Sequence, residues 1–305
     1  MAARFWRSLL GCELALATAL AAVVAHAFQL SAMATFGAGL GLAVLVPVAL
    51  VAVSFVVAAL ASTEEPAPRR VAYSLRAALS EALDFNLAAL AMAAGRDTLP
   101  PIAEPGPAAS QHPVRPLLLI HGILCNRGVW RDWLERLRAE GFVPIRAVSL
   151  EPLFADLGQH AAQVARELCE LQRECRGARV AVIAHSMGGL VARAALRSTG
   201  PAVIDRIVTL ASPHHGTRLA GWFGWLPTQQ MTPGSSWLRA LNAEQEGRLP
   251  VPFTSIYSLE DNLIVPPRSA RLDGALMREL RGLGHLGMVG SRQALEHAVA
   301  ALAGA

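Results

Sequence analysis

The chain has 305 residues, is 53% hydrophobic and carries a formal net charge of +4, its 27 basic residues all being arginine. The lack of lysine excludes a Schiff-base lysine and a phosphate-loop lysine. The arginines form no basic stripe interleaved with aromatics, so nucleic acid is not an expected partner. Four cysteines (Cys12, Cys125, Cys169 and Cys175) have neither metal-ligand spacing nor a disulfide framework, which favours reduced thiols.

The apolar excess is concentrated at the N-terminus. Leu9 to Phe28 and Phe36 to Ala61 are two runs, each long enough for a hydrocarbon core about 30 Å thick. Only Glu13 interrupts the first, and no charge interrupts the second. The other reading is a cleaved signal peptide followed by a buried helix, but a clear cleavage site with a polar start after it is lacking. Residues 1–64 are therefore expected to be a transmembrane hairpin. Arg4 and Arg7 precede the first run, and Arg69, Arg70 and Arg76 follow the second. The positive-inside rule puts both ends, and the domain that follows, on the cytoplasmic side of a bacterial inner membrane. Failure of the first run to insert would leave that domain periplasmic.

Residues 65–98 form a juxtamembrane segment with an amphipathic helix over Val71 to Ala94. Leu75, Leu79, Leu83 and Leu90 lie on one side, and Ser74, Arg76, Ser80, Glu81 and Asp84 toward the other. Such a helix suits the membrane interface or a packed cap on the next domain. Residues 99–113, within "TLPPIAEPGPAASQHP", read as a Pro-rich linker.

From residue 114 to 305, short apolar runs alternate with amphipathic helices. This pattern predicts an α/β domain whose mostly parallel sheet is covered on both faces. Strands are expected at "RPLLLIHG", "FVPIRAVSL", "ARVAVIAHS", "IDRIVTLAS" and "VPFTSIYSLE". In "AHSMGGL" a serine stands where the third strand turns at once into a helix. That is the context of a nucleophile elbow. The flanking small residues keep two backbones close, and Ala184 takes a place where Gly is commoner. Its methyl is expected to need a small residue on the adjacent strand. Ser186 is the expected nucleophile, with the Met187 amide and the Ile123 amide after His121-Gly122 as oxyanion donors.

A serine needs a base held by an acid. His285, in the glycine-flanked loop "RGLGHLGMVGS", is the expected base. His214 and His215 after the fourth strand read as structural or pocket-lining, and His297 as a residue of the last helix. His121 and His185 read as turn residues. Asp261, at the end of the fifth strand, is preferred as the acid over its neighbour Glu260. Asp205 precedes a strand, and Asp273 has none before it. The segment from Thr217 to Glu246 carries Trp222, Phe223, Trp225 and Trp237. It reads either as a lid or acyl-chain site that touches the bilayer or as an ordinary helical cap.

In combination, "LLLIHGILCN", "AHSMGGLVAR", "LASPHHGT", "YSLEDNLIVPP" and "GHLGM" resemble the α/β-hydrolase superfamily and, within it, bacterial triacylglycerol lipases. The elbow alanine resembles a lipase subgroup with Ala-x-Ser-x-Gly. The N-terminal hairpin resembles membrane-attached hydrolases that carry a permease-like label, although no transport machinery is visible. The resemblance implies Ser186, Asp261 and His285 as a triad and Ile123 and Met187 as donors; the apolar bulk of Trp222, Phe223 and Trp225 makes them the expected substrate contacts. It implies lipid or acyl esters as substrates, the bilayer as a partner, and neither cofactor nor metal. Acyl transfer by the same triad and a non-catalytic membrane scaffold are the competing readings.

Overall fold

The computed structural model describes residues 2–29, 31–61, 70–93, 115–245 and 248–304. The Pro-rich segment 99–113 and Arg69 lie outside the described residues. Three helices come first: α1 (Ala2–Phe28), α2 (Ala32–Ala61) and α3 (Arg70–Ala93). Then follow β1 (Leu117–Ile120), a 3₁₀ turn over Arg127–Trp133 with α4 (Leu134–Ala139), β2 (Ile145–Ala147), α5 (Leu157–Glu174), β3 (Val180–His185), α6 (Met187–Thr199) and β4 (Ile204–Leu210). The chain closes with α7 (Leu226–Gln230), α8 (Ser236–Glu244), β5 (Phe253–Ser258), β6 (Leu276–Leu280), α9 (Gly287–Gly290) and α10 (Arg292–Ala303).

The six strands form one parallel sheet in the order β2-β1-β3-β4-β5-β6. Alternation along each strand assigns its side chains to two cores. Leu118, Ile120, Val180 and Val182 meet α5 and α6 through Leu157, Leu168, Leu171, Leu190 and Val191. Leu117, Leu119, Ala181 and Ile183 face the other way, onto Trp130, Trp133 and Leu137 before and within α4, and Ala294, Ala298 and Leu302 of α10. Burial on both faces explains why β1 and β3 read as unbroken apolar runs. The order reverses at β1, so the C-terminal ends of β1 and β3 open a crevice at the switch point.

One feature differs from the sequence reading. β6 carries Arg278 and Glu279, is partly exposed and forms the sheet edge, so it lacks the apolar pattern of a central strand. The stretch before Gly141 begins as a 3₁₀ turn, with Asn126 capping Gly128 N–H, and becomes α-helical only at Leu134.

The N-terminal helices pack against the α/β domain while exposing apolar side chains elsewhere. Leu16, Leu20 and Val23 of α1 and Leu40, Leu45 and Leu50 of α2 are solvent-facing. Both helices are long and apolar enough to cross a membrane. The Trp6 indole N–H donates to the Leu124 carbonyl (2.6 Å), and Arg218 donates to the Ala61 carbonyl (2.6 Å). The start of α1 and the end of α2 thus meet the same domain. Helix α3 packs on it too, through Ala89, Met92 and Ala93 against Cys125, Val129 and Leu286, with Glu81 buried on the same side and Leu75, Leu79, Leu83 and Leu90 exposed.

Close approach of α6 to β1 sets a demanding packing point. A Cβ on Gly188 would fall 2.6 Å from the His121 carbonyl oxygen and 2.8 Å from that of Ile120. Both are backbone atoms that cannot rotate away. Gly188→Ala is expected to destabilise the protein by about 1–3 kcal/mol, read as a lowered melting temperature. An unchanged melting temperature would mean that the helix can lift from the sheet without cost.

Candidate active site

Ser186 occupies the junction of β3 and α6 with φ 55° and ψ −128°. A positive φ at a non-glycine residue costs on the order of 1–3 kcal/mol and persists only where surroundings enforce it. Here its N–H donates to the Leu210 carbonyl (2.8 Å), and its carbonyl accepts from Gly189 N–H (3.0 Å). The sharp turn points the hydroxyl out over the ends of β1 and β3. Gly122 passes so close that a Cβ there would sit 2.8 Å from Ser186 Cβ and 3.3 Å from its Oγ. The Ala184 methyl lies in the main apolar cluster, with Ile120 and Thr209 as its register partners on the two adjacent strands. Neither neighbour is small, contrary to the sequence expectation. The close approach is taken up instead by Gly188 against β1 and by Gly189 against Thr209 and Ser212.

His285, in the loop between β6 and α9, brings Nε2 within 2.9 Å of Ser186 Oγ. Its Nδ1 lies 3.0 Å from Asp261 Oδ2 and 3.1 Å from Oδ1. The arrangement sets the tautomer: Nδ1–H donates to the carboxylate, and Nε2 accepts from the serine hydroxyl. Asp261 is itself fixed, because Oδ1 accepts from the N–H groups of Leu263 and Ile264, both at 2.8 Å. All three residues are buried. Burial pushes the His285 imidazole down, but the charge and hydrogen bond of Asp261, with Glu81 behind them, outweigh it and hold the ring above its ordinary value. Met187 follows the serine in the chain, and Ile123 follows Gly122, which packs against the serine. Among the described residues, neither amide donates to a turn, loop or cap carbonyl.

The remaining candidates fall elsewhere. Glu260 binds Arg281 (2.9 Å) and the Gly282 N–H (2.8 Å), so it braces the base of the His285 loop rather than its ring. Asp205 pairs with Arg179 and Arg206 at the start of β4, and Asp273 is exposed. His214 is buried between Thr209 and Arg193, and His215 is exposed. His121 accepts from Leu150 N–H and donates to the Gly122 carbonyl, and burial brings it down to about 4, so it is neutral. Trp222, Phe223 and Trp225 are exposed; Phe223 stacks on Trp225, which also meets Phe154. Among the described contacts, none joins these three to Ser186.

Three contributors were not read from the sequence as parts of the site. Asn262 accepts the His285 N–H (2.9 Å) and donates to Ser54 of α2 (2.8 Å). His185 donates from Nε2 to the His285 carbonyl (3.1 Å). Glu81 of α3 accepts from the next two amides, those of Leu286 (2.8 Å) and Gly287 (2.7 Å). The available signal was a glutamate at the centre of an otherwise ordinary amphipathic helix.

A family model described as a PGAP1-like alpha/beta domain matches residues 162–265. No curated protein matches the chain. Among solved structures, lipase B of Aspergillus fumigatus superposes with TM-score 0.58 at 21% identity, over 66% of this chain and 55% of that one. A mature Bacillus licheniformis lipase superposes with TM-score 0.54 at 19% identity, over 66% of this chain and 95% of that one. The chain thus spans about half the length of the Aspergillus lipase. Sheet order, elbow and these likenesses define an α/β-hydrolase fold, the fold that these two lipases share, preceded by two long apolar helices.

The raised His285 value depends on a named carboxylate, which makes it testable. Asp261→Asn is expected to lower the His285 titration midpoint, followed by the NMR shift of its ring Cε1–H. An unmoved midpoint would show that Asp261 does not govern the ring.

Proposed function

We propose that the chain is a membrane-anchored serine carboxylester hydrolase acting on acyl or lipid esters. The observation that carries this reading is the continuous hydrogen-bonded line from Asp261 through His285 to Ser186, mounted on a strained strand-to-helix turn. Ser186 Oγ attacks the ester carbonyl as His285 Nε2 takes its proton. The Ile123 and Met187 amides receive the tetrahedral oxyanion, each contributing roughly 3 kcal/mol. Asp261 holds the ring and offsets the charge of the imidazolium. Collapse expels the alcohol, protonated by His285, and leaves an acyl ester on Ser186. Water, deprotonated by His285, then attacks that ester and releases the acid.

The anchor reading rests on the exposed apolar faces of α1 and α2, which water would not tolerate over such lengths. Residues 1–64 then form the hairpin, 65–98 the juxtamembrane segment, 99–113 the linker and 114–305 the hydrolase domain. Arg4 and Arg7 lie at the end of α1 that meets the domain. The positive-inside rule therefore assigns that domain to the cytoplasmic face. Exposed Trp222, Phe223 and Trp225 supply an apolar surface for a lipid ester's chain.

Two measurements test the proposal. A fluorophosphonate probe is expected to label the wild type and not Ser186→Ala, whose ester hydrolysis should fall by about 10⁴-fold or more. Labelling that survives Ser186→Ala, or a variant that keeps its activity, would remove Ser186 as nucleophile. In cell fractions, the protein is expected to stay with membranes through an alkaline carbonate wash and to leave only with detergent. Release by carbonate alone would contradict the anchor.

A further inference from the structure

We propose that Glu81, on α3 outside the hydrolase domain, is a positioning residue for His285, so that the N-terminal helices complete the active site. The inference rests on the reading of His285 as the catalytic base. His285 sits on a glycine-rich loop between an edge strand and a four-residue helix, with little regular structure to hold it. Its main chain is fixed from three directions: by Asn262 at the N–H, by His185 at the carbonyl, and by Glu81 at the two amides that follow. Both oxygens of Glu81 are used, in two parallel bonds to successive amides. Such a fork fixes the direction of the backbone as well as its distance.

The surrounding sequence is shaped to admit this carboxylate. A Cβ on Gly284 would fall 2.5 Å from Glu81 Oε2, and one on Gly287 would fall 3.4 Å from it. The glycines around His285 therefore make room for an incoming side chain from another part of the molecule. Helix α3 correspondingly turns Glu81 inward beside Ala77, Ala82, Ala89 and Met92 and leaves its leucines outside, so that a carboxylate is buried within an otherwise apolar docking face. Burying a carboxylate costs several kcal/mol unless it is hydrogen-bonded, and here the two amides supply those bonds.

Glu81 also acts on the ring through charge. Burial pushes its carboxyl up to about 7, against the two amide bonds, and its charge helps to raise His285. The other ionisable groups around this contact are Asp84 on the same helix, beside Gly287 and Gly290, and Arg76, beside Gly282. From the hydrolase domain come Asp261, His185, and Glu260 with its partner Arg281. None of them replaces the amide bonds that Glu81 makes. Because a neutral imidazole is needed as base, removing the Glu81 charge should lower the His285 titration and carry the acid limb of the rate profile to lower pH.

The test uses the full chain in detergent, with p-nitrophenyl butyrate as substrate and the fluorophosphonate probe. Glu81→Gln is expected to lower kcat by roughly tenfold or more with KM within about twofold, and to shift the acid limb of kcat/KM downward. Glu81→Asp keeps the charge but shortens the reach, so kcat should fall while the limb stays in place. A purely structural role would lower the melting temperature and leave the limb unmoved in both. A folded Glu81→Gln with wild-type kcat and limb would overturn the inference, while probe labelling of the wild type at Ser186 would leave the hydrolase reading standing. Should Glu81→Gln fail to fold, Glu81→Asp decides: wild-type kcat there overturns the inference. Loss of both Ser186 labelling and Ser186-dependent hydrolysis in the wild type would bring down both readings.

Discussion

The hydrogen bond between His285 Nδ1–H and the Asp261 carboxylate is the constraint on which the rest of the site depends. An imidazole has two nitrogens and two tautomers, and only one leaves Nε2 free to accept from Ser186. The carboxylate selects that tautomer and fixes the ring plane. It does so reliably because Asp261 is itself held by the amides of Leu263 and Ile264. Removing that bond would leave a buried ring free to rotate and with less reason to carry a proton.

The sheet supplies the other fixed point. Parallel strands direct their C-terminal ends to one rim, and the reversal of order at β1 opens a crevice there. Ser186 at the end of β3 and the turn after β1 face each other across it, separated by the width that Gly122 allows. The histidine loop is less well supported by the sheet, because it follows the edge strand β6. Support comes instead from neighbours distant in sequence: Asn262, His185 and Glu81. Asn262 in turn reaches Ser54 of α2, so the apolar hairpin and the reactive centre share hydrogen-bonded contacts.

The centre of the sheet was legible in the sequence because β1 and β3 are buried on both faces and appear as continuous apolar runs. β6 was not, because an edge strand with Arg278 and Glu279 lacks that pattern. Ser186, Asp261 and His285 could be singled out because each sits beside a strand end or a glycine cluster, where local chemistry is distinctive. Glu81 could not be assigned a role. Its partners are two backbone amides more than 200 residues away, and a backbone amide leaves no mark in a sequence. The leucine spacing of α3 identified a helix but gave no orientation. The inward face is marked by Glu81 together with Ala77, Ala89 and Met92, residues too small or too scattered to stand out beside the leucine row.

The most direct test of the proposed chemistry is a structure of the protein after reaction with a phosphonate ester, whose tetrahedral phosphorus stands in for the carbon of the ester intermediate. The expected result is phosphorus bonded to Ser186 Oγ, with one phosphoryl oxygen within hydrogen-bond distance of the Ile123 and Met187 amides and the His285 ring still on Asp261. An adduct on another residue, or a phosphoryl oxygen directed away from both amides, would contradict it.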